Sequence, residues 1–409
     1  MSTAFANHRS DTPAFDFRSR NERLRVALDS LTCWGPGASA LAEIDAVVSS
    51  NEINQRHGTG ALLRRILPGR RNLLCIRARN HWGGHDFGDW NIRLPQADRP
   101  GPASAAGLLR GRRVKQVFCV PYLIDDVLTA VSITEAGGAK LCAYLMDDQN
   151  ILRDIIPDET MRNFLEKCSL RLATHPELRA AYESKYGLAF SVLPAVVPHG
   201  LIGRGAAEPE HGDRRCALLG SFWEQRWFDR LCLALKGSGY DVDWFGNNRS
   251  PFVRFPEQDL ARAGIHAMGI VSEERLPLGR YPLVLVPVGI LDETDQNRGV
   301  ASLSLPGRIL FTAATAHTPI LVVGSEKTCA ARFVKHFGIG ETVPYEAAAL
   351  RSAMERLAHP EAQREMRRNA AAMAPMLSDQ GVGEWLETSI DLGRPLDARF
   401  EKIFSGYPM

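Results

Sequence analysis

Short β-branched runs alternate with segments of helical apolar spacing along most of this chain, a pattern that fits parallel βαβ units and few other folds. The first series places strands at 44–50, 72–78, 115–122, 139–146, 170–174 and 190–197. Helices are expected near 61–67, 124–136, 159–168 and 176–187, the last with Pro176 at its start and Gly187 at its end. A polar stretch rich in Gly, Glu and Pro, 203–213, then interrupts the alternation and reads as a linker. The pattern restarts with strands at 216–222, 240–246, 265–271, 281–289 and 318–324, and after Tyr345 the chain is helical almost throughout. At 409 residues the chain is too long for one ordinary core. The expected fold class is α/β, with two Rossmann-like domains at 23–202 and 215–380, joined by a linker at 203–214. A polar tail at 1–22 is expected to be disordered, and helices within 381–409 are expected to pack back across the domain boundary.

Composition narrows the partners. A net charge of +2 with 23% charged residues gives no global reason to bind nucleic acid, so anion binding must be local. The eight cysteines are widely spaced, have no CxxC pair and sit mostly in apolar runs, which points to free buried thiols and to neither a disulfide framework nor a metal site. The N-terminal residues lack a signal-peptide apolar core. The longest apolar stretch, Tyr281 to Leu291, holds two prolines and falls short of the roughly 20 residues of a membrane helix. The expected location is cytoplasmic, with room for peripheral contact with a membrane's inner face.

Open α/β sheets bind ligands beyond the carboxyl ends of their strands, so the loops leaving those ends hold the candidate residues. In the loop 51–60, Gly58 and Gly60 would let the backbone approach a ligand before a helix that favours an anion, although the spacing is not GxGxxG. Gly220 and Ser221 precede a helix whose first turn carries Arg226; a cation there opposes the helix dipole, so Arg226 is either a phosphate ligand or a solvated side chain. Gly246 ends the next strand. Gly269, Val271 and Ser272 follow the third, with Ser272 a reasonable helix cap and the backbone available to a base edge. The longest loop, 289–306, leads through Ser304, Pro306 and Gly307 into a helix with Arg308 in its first turn, where charge and backbone donors would converge on a diphosphate. Asp147 and Asp148 end the strand at 139–146 and are either a substrate-facing pair or a loop and helix cap. His81, Trp82 and His85 lie in a Gly-rich loop that could touch an acceptor.

These residues resemble the GT-B-fold glycosyltransferases that use nucleotide sugars, particularly the bacterial polysaccharide-biosynthesis type with a P-x-K-x-x-E-Y-x-x-x-G-x-P-I stretch. The matching run is Pro306-Gly307-Arg308 through His317-Thr318-Pro319-Ile320, one residue longer than the pattern. VLPAVVPHG resembles the family's V-I-P-N-G, with His199 for Asn, and HAMGIVSEERLP followed by YPLVLVP resembles its H-x-x-G-x-V-x-x-E-x-L and V-x-L-x-P segments. The resemblance covers about Ser169 to Ala372. It implies two parallel sheets facing across a cleft and a metal-independent, retaining transfer from a nucleotide-diphosphate sugar to a glycan or lipid-linked acceptor, with no separate cofactor. It further implies that Arg308 and Arg226 contact the diphosphate, that Gly269 and Val271 lie against the base, and that Gly58 and Gly60 face the donor. Glu293 is the nearest match to the acid that meets the donor sugar, and Asp148 would serve the acceptor or the sugar. The family's ribose-binding Glu falls at Phe311 or Thr312, and its Gly falls at His317.

Two other readings stay open. A non-catalytic GT-B protein that binds a nucleotide or glycan would explain Phe311, Thr312 and His317. A nucleotide-sugar epimerase or a nicotinamide enzyme would share the architecture, but no GxGxxG with an acid about twenty residues on supports the latter.

Overall fold

A computed structural model of the protein describes residues 32–34, 43–67, 72–77, 83–93, 113–209, 214–248, 250, 253–296 and 298–408. The tail 1–22, His81, Trp82 and the far end of the linker, 210–213, lie outside them.

The first sheet contains β1 (Thr32–Trp34), β2 (Glu43–Ser49), β3 (Leu73–Arg77), β4 (Trp90–Arg93), β5 (Arg113–Val120), β6 (Lys140–Leu145), β7 (Leu170–Ala173) and β8 (Ser191–Val192), in the order β1-β4-β3-β2-β5-β6-β7-β8. All neighbours are parallel except β1, which runs antiparallel to β4. The second contains β9 (Arg215–Leu219), β10 (Asp241–Phe245), β11 (Ile265–Gly269), β12 (Val284–Pro287), β13 (Ile320–Val323) and β14 (Gly340–Val343), all parallel, in the order β11-β10-β9-β12-β13-β14. β3, β12 and β13 are buried at every residue, which is why they read as apolar runs, broken only by Arg77 at the end of β3.

Strand order reverses between β2 and β5 in the first sheet and between β9 and β12 in the second. At such a point the loops leaving adjacent strands diverge to opposite faces and open a crevice. Each domain thus brings one crevice to the cleft between them.

Four strands depart from the sequence pattern, one of them β1 (TCW), which the pattern does not reveal. The run expected at 190–197 pairs over only two residues, because Pro194 has no amide to donate, and Val197 instead bridges to Ser378. β4 (WNIR) and β14 (GETV) are short and mixed in polarity, so periodicity does not reveal them. The helix expected at 61–67 begins earlier, at Gly58, and runs to Ile66.

The C-terminal helices pack back onto the first domain. Helix Val382–Leu392 lies between Gly381 and Gly393, both in the left-handed conformation. Lys115 Nζ donates to Glu387 at 2.8 Å, and Gln116 Nε2 donates to Asp391 at 3.1 Å. In helix Arg399–Ile403, Glu401 accepts from Val192 N at 2.9 Å and from Arg179 at 2.5 Å. One apolar cluster runs from Val47 and Leu63 through Ile309 and Ala313 to Trp385 and Leu386, so both domains and the returning tail share a core.

Seven cysteines, from Cys75 onward, carry free thiols, and six of these are buried. Among the described residues no helix is long and apolar enough to cross a membrane.

Candidate active site

A cavity of about 380 Å³ lies between the domains, at both points of strand-order reversal. From the second domain, Leu219 at the end of β9 reaches it with Gly220 and Ser221 beyond, Phe245 at the end of β10 with Gly246, Val271 after β11, and Pro287 at the end of β12 with Val288. The first domain contributes 55–59 after β2, Tyr122 after β5, Met146 and Asp147 after β6, and Thr174 after β7. Two helices start at its wall: Gly58–Ile66, with His57 Nδ1 accepting from Thr59 N at 3.3 Å, and Gly307–Thr315, with Pro306 at its N-cap. Neither has an acidic residue in its first turn, so both positive helix ends face the cleft uncompensated by their own sequence.

Arg308 is the second residue of helix Gly307–Thr315. Its Nη1 donates to Leu219 O at 2.7 Å and its Nη2 to Ser221 O at 3.0 Å, so the guanidinium ties the helix start to the loop after β9. Gly220, at φ 90°, lets that loop turn beneath the guanidinium, which would lie 3.3 Å from a Cβ at this position. Burial pushes the Arg308 pKa down to about 10, which leaves it a cation at neutral pH. Among the described residues no carboxylate pairs with it. Its acceptors are carbonyls, which orient the charge without neutralising it.

The other sequence candidates divide. Gly58, Gly220, Ser221, Gly246 and Val271 line the cavity with Arg308. Gly269 lies just behind it, where its carbonyl accepts from Gly246 N at 3.0 Å. Gly60 faces the preceding loop: a Cβ there would stand 2.1 Å from Asn54 O. Gly60→Ala is therefore expected to lower the melting temperature by several degrees, read by calorimetry; an unchanged transition would mean that the loop yields freely. Arg226 is exposed and donates to Thr294 O, away from the cavity. Glu293 is exposed in the same turn. Asp148 is buried as a loop organiser, accepting from the amides of Asn150 at 3.0 Å, Ile151 at 2.7 Å and Leu152 at 2.8 Å. His85 is exposed. Ser272 stands at the N-cap of the turn Glu273–Arg275 but makes no capping hydrogen bond with its side chain.

Adjacent to Asp148, Asp147 does face the cavity. Its Oδ1 accepts from Ser304 Oγ of the opposite domain at 2.8 Å. Burial raises its carboxyl above the usual range, and Ser304, Arg153 and Tyr122 oppose that rise.

Several lining residues were not foreseen. Arg65 pairs with Glu273 across the cleft, donates to Val196 O at 2.9 Å and holds its guanidinium 5.8 Å from the centre of the Phe311 ring. Gly58, Ala61, Leu62 and Arg65 all line the cavity, and that three-and-four spacing is a single helix face that the sequence does display. Trp223 meets His57 edge-on at 6.2 Å between ring centres.

The positions that depart from the family pattern also separate. Phe311 lines the cavity, whereas Thr312 is buried behind it. His317 follows the end of helix Gly307–Thr315 with φ 54° and its amide donating to Thr312 O at 3.1 Å. That is a left-handed helix stop, for which Gly is the usual residue, so His317 belongs to the backbone turn and does not line the cavity. Among the described residues no group of three His, Cys, Asp or Glu side chains is arranged to hold a metal ion.

Two Rossmann-like domains presenting their strand ends across a cleft constitute the GT-B fold. It is similar to the lipopolysaccharide outer core galactosyltransferase WaaB in its apo form, with a TM-score of 0.57 and 11% identity over 86% of this chain and 99% of that one. It is also similar to WaaG, a glycosyltransferase involved in lipopolysaccharide biosynthesis, with a TM-score of 0.55 and 13% identity over 85% and 99% of the two chains. The N-terminal domain of trehalose-6-phosphate phosphatase from Candida albicans has a TM-score of 0.54 and 10% identity over 88% and 98%. At these identities the likeness is one of fold. No protein-family model and no curated protein matches the sequence.

Proposed function

We propose that the protein is a glycosyltransferase that takes a nucleotide-diphosphate sugar as donor and a glycan or lipid-linked molecule as acceptor. One observation carries the reading: Arg308 is a half-buried cation with no carboxylate partner among the described residues, set at a helix start on the cavity wall. A cation partly withdrawn from water is stabilised when an opposite charge meets it. A diphosphate supplies that charge, and the amides of the helix start can share it. As the donor bond breaks, negative charge grows on the departing phosphate, and donors already fixed in place favour that state over the ground state. A metal-independent transfer needs such donors, and Arg308 at the start of helix Gly307–Thr315 supports that reading. Transfer with retention follows the family resemblance.

Binding of UDP-, GDP-, ADP- and dTDP-sugars, measured by calorimetric titration, tests the reading. At least one is expected to bind, and Arg308→Ala to weaken it roughly 10- to 100-fold, the range for hydrogen bonds to a charged group. Arg308→Lys keeps the charge but loses the fork, and is expected to fall between. No binding by the wild-type protein would sink the proposal.

A second reading has its own support. Phe311 gives the cavity an aromatic wall at one of the two positions, with Thr312, where the resemblance would place a carboxylate, and neither Glu293 nor Asp148 lines the cavity. A nucleotide-sugar-binding protein without turnover would tolerate all three. Binding without transfer to any acceptor and without slow donor hydrolysis would favour it.

A further inference from the structure

We propose that Thr59, Tyr122, Asp147 and Ser304 form a subsite for sugar hydroxyls, distinct from the anion end at Arg308. The four side chains all line the cavity, whose wall around them is otherwise apolar at Met146, Ala195 and Leu305. Thr59 Oγ1 and Tyr122 Oη are 2.6 Å apart, and Ser304 Oγ donates to Asp147 Oδ1 at 2.8 Å. Tyr122 also lies against the Asp147 carboxylate and favours its charge. One set of hydroxyls and a carboxylate therefore spans both domains.

The chemistry of this set selects its ligand. Each hydroxyl can donate and accept, and an ionised carboxylate can accept at about four sites, of which Ser304 and Tyr122 fill only part. A ligand group inserted here must bring donors. It must also be uncharged or cationic, because Asp147 repels a phosphate. A sugar ring meets both demands, whereas a diphosphate meets neither.

Position then fixes orientation. Ser304 and Arg308 lie on one short segment, on either side of the turn into helix Gly307–Thr315. A glycosyl diphosphate carries its sugar directly on the phosphate, so adjacent hydroxyl and anion ends match it. The diphosphate goes to Arg308 and the transferred sugar to Asp147. This orientation rests on the nucleotide-sugar reading above, whereas the subsite itself requires only a sugar.

The test compares bare nucleoside diphosphates with the matching nucleotide sugars, by calorimetric titration of the wild-type protein, Asp147→Asn and Ser304→Ala. Wild type is expected to bind the sugar form more tightly. Asp147→Asn should abolish that advantage, a loss of roughly tenfold for a hydrogen bond to a charged group. It should leave the bare diphosphate as tight or tighter, since a repelling charge is gone. Ser304→Ala, which keeps the carboxylate, should lose only a few-fold. Equal losses for both ligands, or no change for either, would overturn the subsite. If wild type binds no nucleotide, methyl glycosides observed by saturation-transfer NMR decide separately. Signals that vanish in Asp147→Asn keep the subsite while the donor reading falls. Their absence in wild type removes both.

Discussion

Replacing Arg77 with Met is expected to destabilise the fold by about 3–5 kcal/mol, the range for leaving buried ions without their partner. Arg77 comes from β3 and its side chain is wholly buried. Its Nε stands 3.1 Å from Asp86 Oδ2, its Nη1 3.9 Å from Glu52 Oε1, and its Nη2 donates to Gly84 O at 3.1 Å. Both carboxylates in turn hold backbone: Glu52 accepts from Gly83 N at 3.0 Å and Asp86 from Ile53 N at 2.9 Å. One cation thus fastens the segment after β2 to the segment before β4. The same segment after β2 continues into Gln55–Thr59 at the cavity wall.

The arithmetic of charge makes a sharper forecast. Arg77→Met takes the Arg77 cation away from two buried carboxylates, whereas the triple change Arg77→Met, Glu52→Gln and Asp86→Asn removes these three charges together while keeping the side-chain oxygens that accept from Gly83 and Ile53. The triple variant is therefore expected to be more stable than the single one. Urea unfolding of the two measures the difference, and a triple variant less stable than Arg77→Met would show that hydrogen-bond geometry, not charge, dominates this cluster.

Strands β12 and β13 of the second domain were legible because a parallel strand covered on both faces is an apolar run with little else in it. Arg308 was legible for a local reason: Ser304, Pro306 and Gly307 announce a helix start, and the residue after a start faces whatever that start faces. Arg226 occupies an equivalent position in helix Gln225–Leu235 but points outward. The signal was present, since Trp227, Phe228, Leu231, Ala234 and Leu235 mark the buried face and Arg226 lies off it. Asp147 and Asp148 show where legibility ends. Adjacent residues leave a strand in opposite directions, and which one meets the cavity depends on three amides at 150–152 that capture Asp148. The contact of Arg65 with Glu273 depends on how two domains meet. Helix spacing gives the face that Arg65 shares with Gly58, and only tertiary structure supplies its partner.

Acid is expected to weaken the join between the domains, through His175. This residue caps helix Pro176–Tyr186 of the first domain, its Nδ1 accepting from Leu178 N at 3.4 Å, and lies 3.5 Å from the Cys329 thiol of the second. Beside it Glu177 pairs with Arg332 and accepts from the Tyr407 hydroxyl at 2.7 Å, so both domains and the returning tail meet here. Burial pushes the His175 pKa down from 6.5 to about 4, against a smaller upward pull from Glu177. Between those values the unfolded chain binds a proton that the folded chain refuses, so stability rises with pH across this window and is lost on acidification. Going from pH 7 to pH 5 should cost about 2 kcal/mol from this group alone. His175→Asn retains a capping acceptor but cannot titrate in this range, and should remove that part of the slope. Glu177, held below the usual range mainly by Arg332, stays ionised at pH 5 and does not obscure the comparison. Urea midpoints of both proteins at the two pH values decide the matter: parallel losses would mean that His175 takes up its proton in the folded state without opening the interface.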